Sequence, residues 1–336
     1  MEARSLTIGA EESWWRRLRE VADRHPAVTA LALLALIVLV LLASKGLHNV
    51  AQRGLNGLTL GAIYALGAVG LTLVYGILKL VNFAHGDFLT FGAYMAYLVN
   101  VTWGLPLVVA VFYAMAMTAV LGIFLEKVMW GPMRARGAGM LQLLLMAIGL
   151  ALVIRYVIQF IWSTDLRQLD VNLTDTVQFL GLTIGRTNLI VIVVGFAVLI
   201  ATGLMLRYSL LGKRMRALSD DLELAETSGI DTSRVILWTW VFAAGLAGLA
   251  GVLAGAITQL QPELGFELLL PIFAAVVVGG IGNAFGALAG GVALGLVIEW
   301  STLFIDSRWK TAIGFVVLIL VLIIRPQGIF GRAKVI

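Results

Sequence analysis

The sequence predicts an all-α polytopic membrane protein with about eight to ten transmembrane helices, some of them interrupted. Three observations predict it. Hydrophobic residues make up 60% of the chain and charged residues 13%, against roughly 25% charged in soluble domains. Apolar runs of about spanning length, roughly 20 residues, recur along the chain with short polar joints between them. The chain has 37 glycines but only 6 prolines, and the glycines fall inside the apolar runs, where small residues let membrane helices approach closely.

Composition also excludes several function classes. Cys is absent, so disulfides and thiolate metal sites are impossible. His25, His48 and His85 are too sparse for a His-rich metal site, and no cofactor is expected. The net charge of +5 is divided among blocks between apolar runs, which does not make a nucleic-acid surface; membrane lipids are the expected surroundings.

Residues 1–26 are charged and carry Arg16, Arg17 and Arg19. Trp14, Trp15, Leu18, Val21 and Ala22 fall at helical spacing, so this region reads as a cytoplasmic amphipathic extension, with 12–24 on the membrane surface. Residues 27–50 read as an additional N-terminal transmembrane helix, over 27–43, and its loop. A signal peptide is the alternative, but both the charged region and the apolar run are long, and no small-x-small cleavage pattern follows. Residues 51–336 then form the main transmembrane domain. Its predicted spans are 54–78, 88–103, 105–128, 140–162, 187–206, 234–258, 268–281, 284–304 and 311–324. The segment 268–281 is short, contains Pro271 and runs into Gly279, Gly280 and Gly282. It reads as a half-helix or a re-entrant element. With the N-terminus inside, 17 of the 24 Lys and Arg lie in inside regions and 6 in outside ones, as the positive-inside rule requires.

Between the spans 54–78 and 88–103 stands Asn82-Phe83-Ala84-His85-Gly86-Asp87-Phe88. An Asp at the centre of a membrane helix costs ~2.5–3.5 kcal/mol on insertion scales. Two readings stay open. The polar groups line the substrate path, or they satisfy backbone groups at a break between helices. His85 could equally be a packed tautomer bonded to a carbonyl. Elsewhere, Gly57 with Gly61 and Gly286 with Gly290 are spaced four apart, which puts each pair on one helix face as packing contacts. Arg155 either pairs with a carboxylate or snorkels, Glu126 and Lys127 sit at an inner helix end, and Glu299 reads as an interfacial anchor beside Trp300.

The longest hydrophilic joint is 207–233. Asp220 with Glu223 forms a capping-box pattern, and Gly229 stands where a helix would stop, so a short charged helix is predicted over 220–228. On charge alone this region is equally an ordinary solvated loop.

Four blocks then carry a resemblance. They are Asn56-Gly57-Leu58-Thr59-Leu60-Gly61-Ala62-Ile63-Tyr64-Ala65-Leu66 leading to Asn82–Asp87; Gly212-Lys213-Arg214-Met215-Arg216-Ala217 followed by Ala225-Glu226 and Gly229-Ile230; Val278-Gly279-Gly280-Ile281-Gly282-Asn283 with Gly286; and Arg325-Pro326-Gln327-Gly328-Ile329-Phe330-Gly331. In this order they resemble the branched-chain amino acid permease family of bacterial ABC importers, the LivH type, over roughly residues 54–331. Residues 1–50 depart from it by adding a segment ahead of the core.

The resemblance implies a multi-pass permease of the bacterial inner membrane that moves branched-chain, hydrophobic amino acids. It implies three kinds of protein partner: a second homologous permease, two ABC ATPase subunits and a periplasmic or lipid-anchored binding protein. Energy would come from the ATPases, since the chain has no G-x-x-x-x-G-K-[ST] loop. The loop 207–233 becomes the coupling element, with Arg214, Arg216, Glu223, Ala225, Glu226 and Gly229 as its contact and shape residues. Asn56 and Tyr64 join Asn82, His85 and Asp87 as path candidates. Gly279, Gly280 and Gly282 join Gly57, Gly61, Gly286 and Gly290 as packing or hinge positions. A urea or short-amide importer is the runner-up; a channel or standalone carrier is the reading from another class. No nucleophile-base set supports an intramembrane enzyme.

Overall fold

Helix α1 (Leu47–Leu78) is 32 residues long, about 48 Å at 1.5 Å per residue. It starts earlier than the apolar run because Gln52 and Arg53 still favour helix beyond the lipid-facing part. It ends where Lys79 adopts a left-handed backbone with φ 52°. These coordinates come from a computed structural model that describes residue 35, residues 38–179, residues 181–324 and residue 328. The predicted surface helix 12–24 and most of the predicted span 27–43 lie outside the described residues; residues 38–45 are helical. The chain divides into two units, Met1–Val50 and Ala51–Ile336.

After α1 the chain is non-helical through Ala84, and α2 (His85–Tyr97) extends through a π-helical turn, Leu98–Thr102. Helix α3 (Leu107–Leu125) continues through a second π turn, Glu126–Trp130, into α4 (Gly131–Ala135). Then come α5 (Met140–Trp162), strands β1 (Thr176–Phe179) and β2 (Leu182–Gly185), and α6 (Arg186–Tyr208). Two short helices follow, α7 (Leu210–Asp220) and α8 (Leu222–Thr227). The last are α9 (Thr232–Ile257), α10 (Leu264–Gly279), α11 (Ala284–Ser301) and α12 (Lys310–Ile324).

Six of the described helical stretches are long and apolar enough to cross a membrane: α1, α3 with α4, α5, α6, α9 and α11. The predicted spans 88–103, 268–281 and 311–324 correspond to shorter helices, α2, α10 and α12, of 13, 16 and 15 residues. The loop 163–186 carries an antiparallel two-stranded hairpin that was not foreseen, with Gly181 at φ 80° in its turn.

Helices α1 and α9 are the buried centre, while α3, α5 and α6 keep one broad apolar face exposed. Glycine sets how closely the central helices approach. A Cβ at Gly57 would stand 2.9 Å from Leu296 Cα, and one at Gly61 would stand 3.0 Å from Val292 Cα, so α1 and α11 touch backbone to backbone. Gly279, Gly286 and Gly290 likewise have no room for a Cβ and seat α10 on α11, with Gly280 and Gly282 turning between them at φ 99° and 85°. Asn283 caps α11 by accepting from the amides of Phe285 and Gly286, both at 3.1 Å.

Two sets of contacts define the two ends of this unit. At one end, Gln52 donates to Thr183 O at 2.6 Å and Asn100 Oδ1 accepts from the Asp170 amide at 2.8 Å. At the other, Ser219 Oγ donates to Gly76 O at 3.1 Å, which ties α7 to the end of α1. The second end carries the basic joints, with Lys127, Arg134 and Arg136 on one and Arg207, Lys213, Arg214 and Arg216 on the other.

Candidate functional site

Short helices α2 and α10 begin beside each other inside the bundle. His85 Nε2–H donates to Gly67 O at 2.9 Å, near the middle of α1, so α2 starts well inside the Leu78 end of α1. Gly86 and Gly265 are in mutual backbone contact, and neither can carry a Cβ without overlapping the other's carbonyl. The Gly265 amide also donates to Thr90 Oγ1 at 2.9 Å. From this junction the helices diverge. Helix α2 runs to the outer loop, where Arg167 donates to Tyr97 Oη at 3.3 Å; α10 runs inward, to the turn where Gly282 meets Gly76.

Two helix N-termini therefore meet in the bundle, each the positive end of a peptide dipole. Acidic side chains offset that charge: Asp87 in the first turn of α2, Glu263 at the N-cap of α10, and Glu267 in its first turn. One face of α5 holds both. Arg155 Nε donates to Asp87 Oδ1 at 3.1 Å and its NH2 to Oδ2 at 3.3 Å, while its guanidinium lies 4.5 Å from the centroid of the Phe266 ring. One turn on, Gln159 donates to Glu263 Oε1 at 2.9 Å.

The predicted path residues lie as follows. Asn82 sits in the break between α1 and α2, fully buried, with Oδ1 accepting from the Ala84 amide at 3.1 Å. His85 and Asp87 are buried and turned onto α1 and α5, so the packed-tautomer alternative describes His85 in this state. Tyr64 is buried within α1 and Asn56 is half-buried near its outer end; neither touches the junction. Of the two readings open for Arg155, pairing with a carboxylate is the one the structure shows, and Asp87 is its partner. Gln159 carries no signal in the sequence, because a glutamine gains meaning only beside its partner.

Glu126 differs from expectation: it does not snorkel but is buried, accepts from Trp240 Nε1 at 2.7 Å and pairs with Arg134. Glu299, beside Trp300, is 2% exposed, pairs with Lys310 and lies 3.8 Å from Arg53.

At the basic end, 207–233 folds as two short helices rather than one. Ser209 caps α7 and Asp221 caps α8, accepting from the Leu224 amide at 3.0 Å. The predicted cap, Asp220, is instead the last residue of α7, and no capping box with Glu223 forms. Gly229 does end α8, at φ 82°, its amide donating to Glu226 O at 2.9 Å. Gly212 fits under the end of α6, where a Cβ would stand 2.5 Å from Met205 O. Arg216 donates to the last carbonyls of α6, those of Leu206 and Arg207, and so caps α6 while remaining exposed. Ala225 is buried against the bundle, while Arg214, Glu223 and Glu226 are exposed and Leu224 stands 64% exposed.

Comparison with known proteins matches these features to one group. Residues 54–322 match the family described as branched-chain amino acid transport system / permease component. The chain is 34% identical over 298 residues to the high-affinity branched-chain amino acid transport system permease protein LivH of Escherichia coli, covering 84% of this chain and 96% of that protein. It is 32% identical over 303 residues to BraD of Pseudomonas aeruginosa, a permease protein of the same description, covering 86% and 98%. It is 26% identical over 329 residues to the Escherichia coli permease protein LivM, covering 90% and 75%. With six spanning-length helices among the described residues, this multi-pass membrane protein belongs to the branched-chain amino acid transport system permease family.

Proposed function

We propose that the chain is the membrane-spanning subunit of an ATP-driven importer that carries branched-chain amino acids across the bacterial inner membrane. The observation that carries this is the family match over 54–322, nearly the whole of the Ala51–Ile336 unit. Likeness to both LivH and LivM supports assembly with a second, related permease. Energy would come from two ATPase subunits, and cargo from a binding protein on the outer face.

In this reading α7 and α8 are the lever. Leu224 supplies an apolar knob, Arg214, Glu223 and Glu226 its polar rim, and Gly229 the stop that fixes the angle of α8. Arg216 and Gly212 bind the lever rigidly to α6, and Ser219 with Lys79 binds it to α1. A push on Leu224 is then passed to two spans at once. Just past this same end of α1, Asn82, His85 and Asp87 position α2 rather than touch cargo, and the α2–α10 junction is where the path opens and closes.

Affinity purification of the chain from its native membrane tests the assembly. Recovery with ATPase subunits and a second permease is the expected result. Recovery alone, as a stable homo-oligomer, would contradict it.

A further inference from the structure

On the outer side of the α2–α10 junction lies a cavity of about 250 Å³. Its walls are the outer half of α1, the end of α9 and the first turns of α10, and Leu166 of the outer loop overhangs it. The cavity is amphipathic in an ordered way. Leu60, Ile63, Ala254 and Leu264 form an aliphatic floor, while Gln261 and Glu267 stand on one rim. No Lys or Arg lines it among the described residues.

Glu267 is the group that gives this cavity a sign. Its side chain is exposed, and Oε1 accepts from Gln261 Nε2 at 2.9 Å. That partner is a neutral amide, and the carboxylate it holds lines the cavity. The backbone beneath is fixed: the Arg167 amide donates to Leu260 O at 2.9 Å and the Leu260 amide returns to Arg167 O at 2.7 Å. Gly265, two residues before Glu267, is wedged against Gly86. The carboxylate is thus held at a set height above the aliphatic floor.

The chemistry selects a ligand class. A carboxylate with an amide beside it takes an ammonium group and repels a free anion. A floor of branched aliphatics takes a branched aliphatic chain. The volume is below the ~300–1,000 Å³ of drug-sized pockets, which suits a solute of few heavy atoms. Urea and short amides offer neither the positive charge nor the chain.

We propose that this cavity receives the substrate inside the permease as it leaves the binding protein, with the α-ammonium at Glu267, the α-carboxylate turned away from it toward the Gln259 amide, and the aliphatic side chain against Leu60 and Ile63. The proposal rests on the importer reading and adds to it a residue that discriminates substrates. Because the cavity lies directly outward of Gly265, an occupied cavity presses on the junction that must open next.

The test uses the assembled complex in proteoliposomes, with its binding protein loaded with radiolabelled leucine. Leucine uptake and ATP hydrolysis are measured for the unaltered chain, Glu267→Gln, Glu267→Asp and Leu60→Trp. The expected result is uptake lowered about tenfold or more by Glu267→Gln and by the cavity-filling Leu60→Trp, the scale of one charge-assisted hydrogen bond. Glu267→Asp restores most of it, and stimulated ATP hydrolysis stays near the unaltered rate throughout. Unchanged uptake in both Glu267→Gln and Leu60→Trp would overturn the proposal while leaving the importer reading intact. Loss of ATP hydrolysis together with uptake in both would also overturn it, by marking a fault of assembly rather than of recognition. An unaltered complex that moves no leucine would overturn the importer reading itself.

Discussion

Arg155 on α5 and Asp87 in the first turn of α2 form a two-point ion pair at 3.1 and 3.3 Å, across 68 positions of sequence. Asp87 is fully buried and the Arg155 side chain is 13% exposed. Removing one partner of such a pair strands the other and costs about 3–5 kcal/mol, whereas a well-packed apolar replacement of both is often neutral. Asp87→Ala and Arg155→Ala should each lower thermal stability in detergent by that order. Asp87→Leu combined with Arg155→Met should be less destabilising than the two single losses added. Additive losses in this cycle would show that the pair is not a coupled unit.

Glycine substitutions should divide by backbone contact rather than by helix propensity. Gly149 lies on the exposed part of α5 with nothing within 4 Å of a built Cβ, so Gly149→Ala should stabilise by up to about 1 kcal/mol. Gly86→Ala and Gly265→Ala drive a methyl into the opposing carbonyl and should abolish assembly or uptake. Size-exclusion chromatography and uptake read both, and tolerance at Gly265 would refute the tight junction.

Leu224 projects from α8 while Ala225 faces the bundle, so the two positions should separate coupling from folding. Leu224→Asp is expected to leave membrane insertion intact and reduce ATP-driven uptake by about tenfold, the effect of roughly 1.4 kcal/mol of lost docking. Gly229→Pro removes both the φ 82° turn and the amide that donates to Glu226 O, and should do the same. Undiminished uptake in both would exclude α8 as the lever.

Trp240 Nε1–H donates to the buried carboxylate of Glu126, and its ring lies parallel to Trp130 at 6.3 Å. Trp240→Phe keeps the ring and deletes the donor, so a loss of about 1–3 kcal/mol in stability is expected from the under-satisfied carboxylate. Glu126→Gln in the Trp240→Phe background should recover part of it. Equal stability of Trp240→Phe and the unaltered protein would mean that Arg134 alone satisfies Glu126.

Much of this fold was legible in the sequence, and what was not has physical reasons. Helix α5 occupies the predicted 140–162 because its apolar run is long, uniform and bounded by polar joints. The break before α2 was legible from Asn82–Asp87, and a second interruption from Pro271 and Gly279–Gly282; that the two short helices meet at Gly86 and Gly265 was not, since backbone contact leaves no periodic trace. Adjacent aspartates hid the cap, because a pattern cannot choose between Asp220 and Asp221 when one shift of register satisfies either. Arg216 read as a free basic group because helix capping uses the same residue type as anion binding. Gln159 and Gln261 carried no signal, since each gains meaning only through Glu263 and Glu267, brought beside them by the fold.

The central claim is that this chain forms a path opened by ATP. The most direct measurement is radiolabelled leucine accumulation in proteoliposomes holding the chain, its paired permease and the ATPase subunits, with loaded binding protein outside and ATP within. Accumulation above the external concentration, abolished when ATP or this chain is left out, is the predicted result. Leucine equilibrating at the same rate without ATP would contradict it and identify a passive channel.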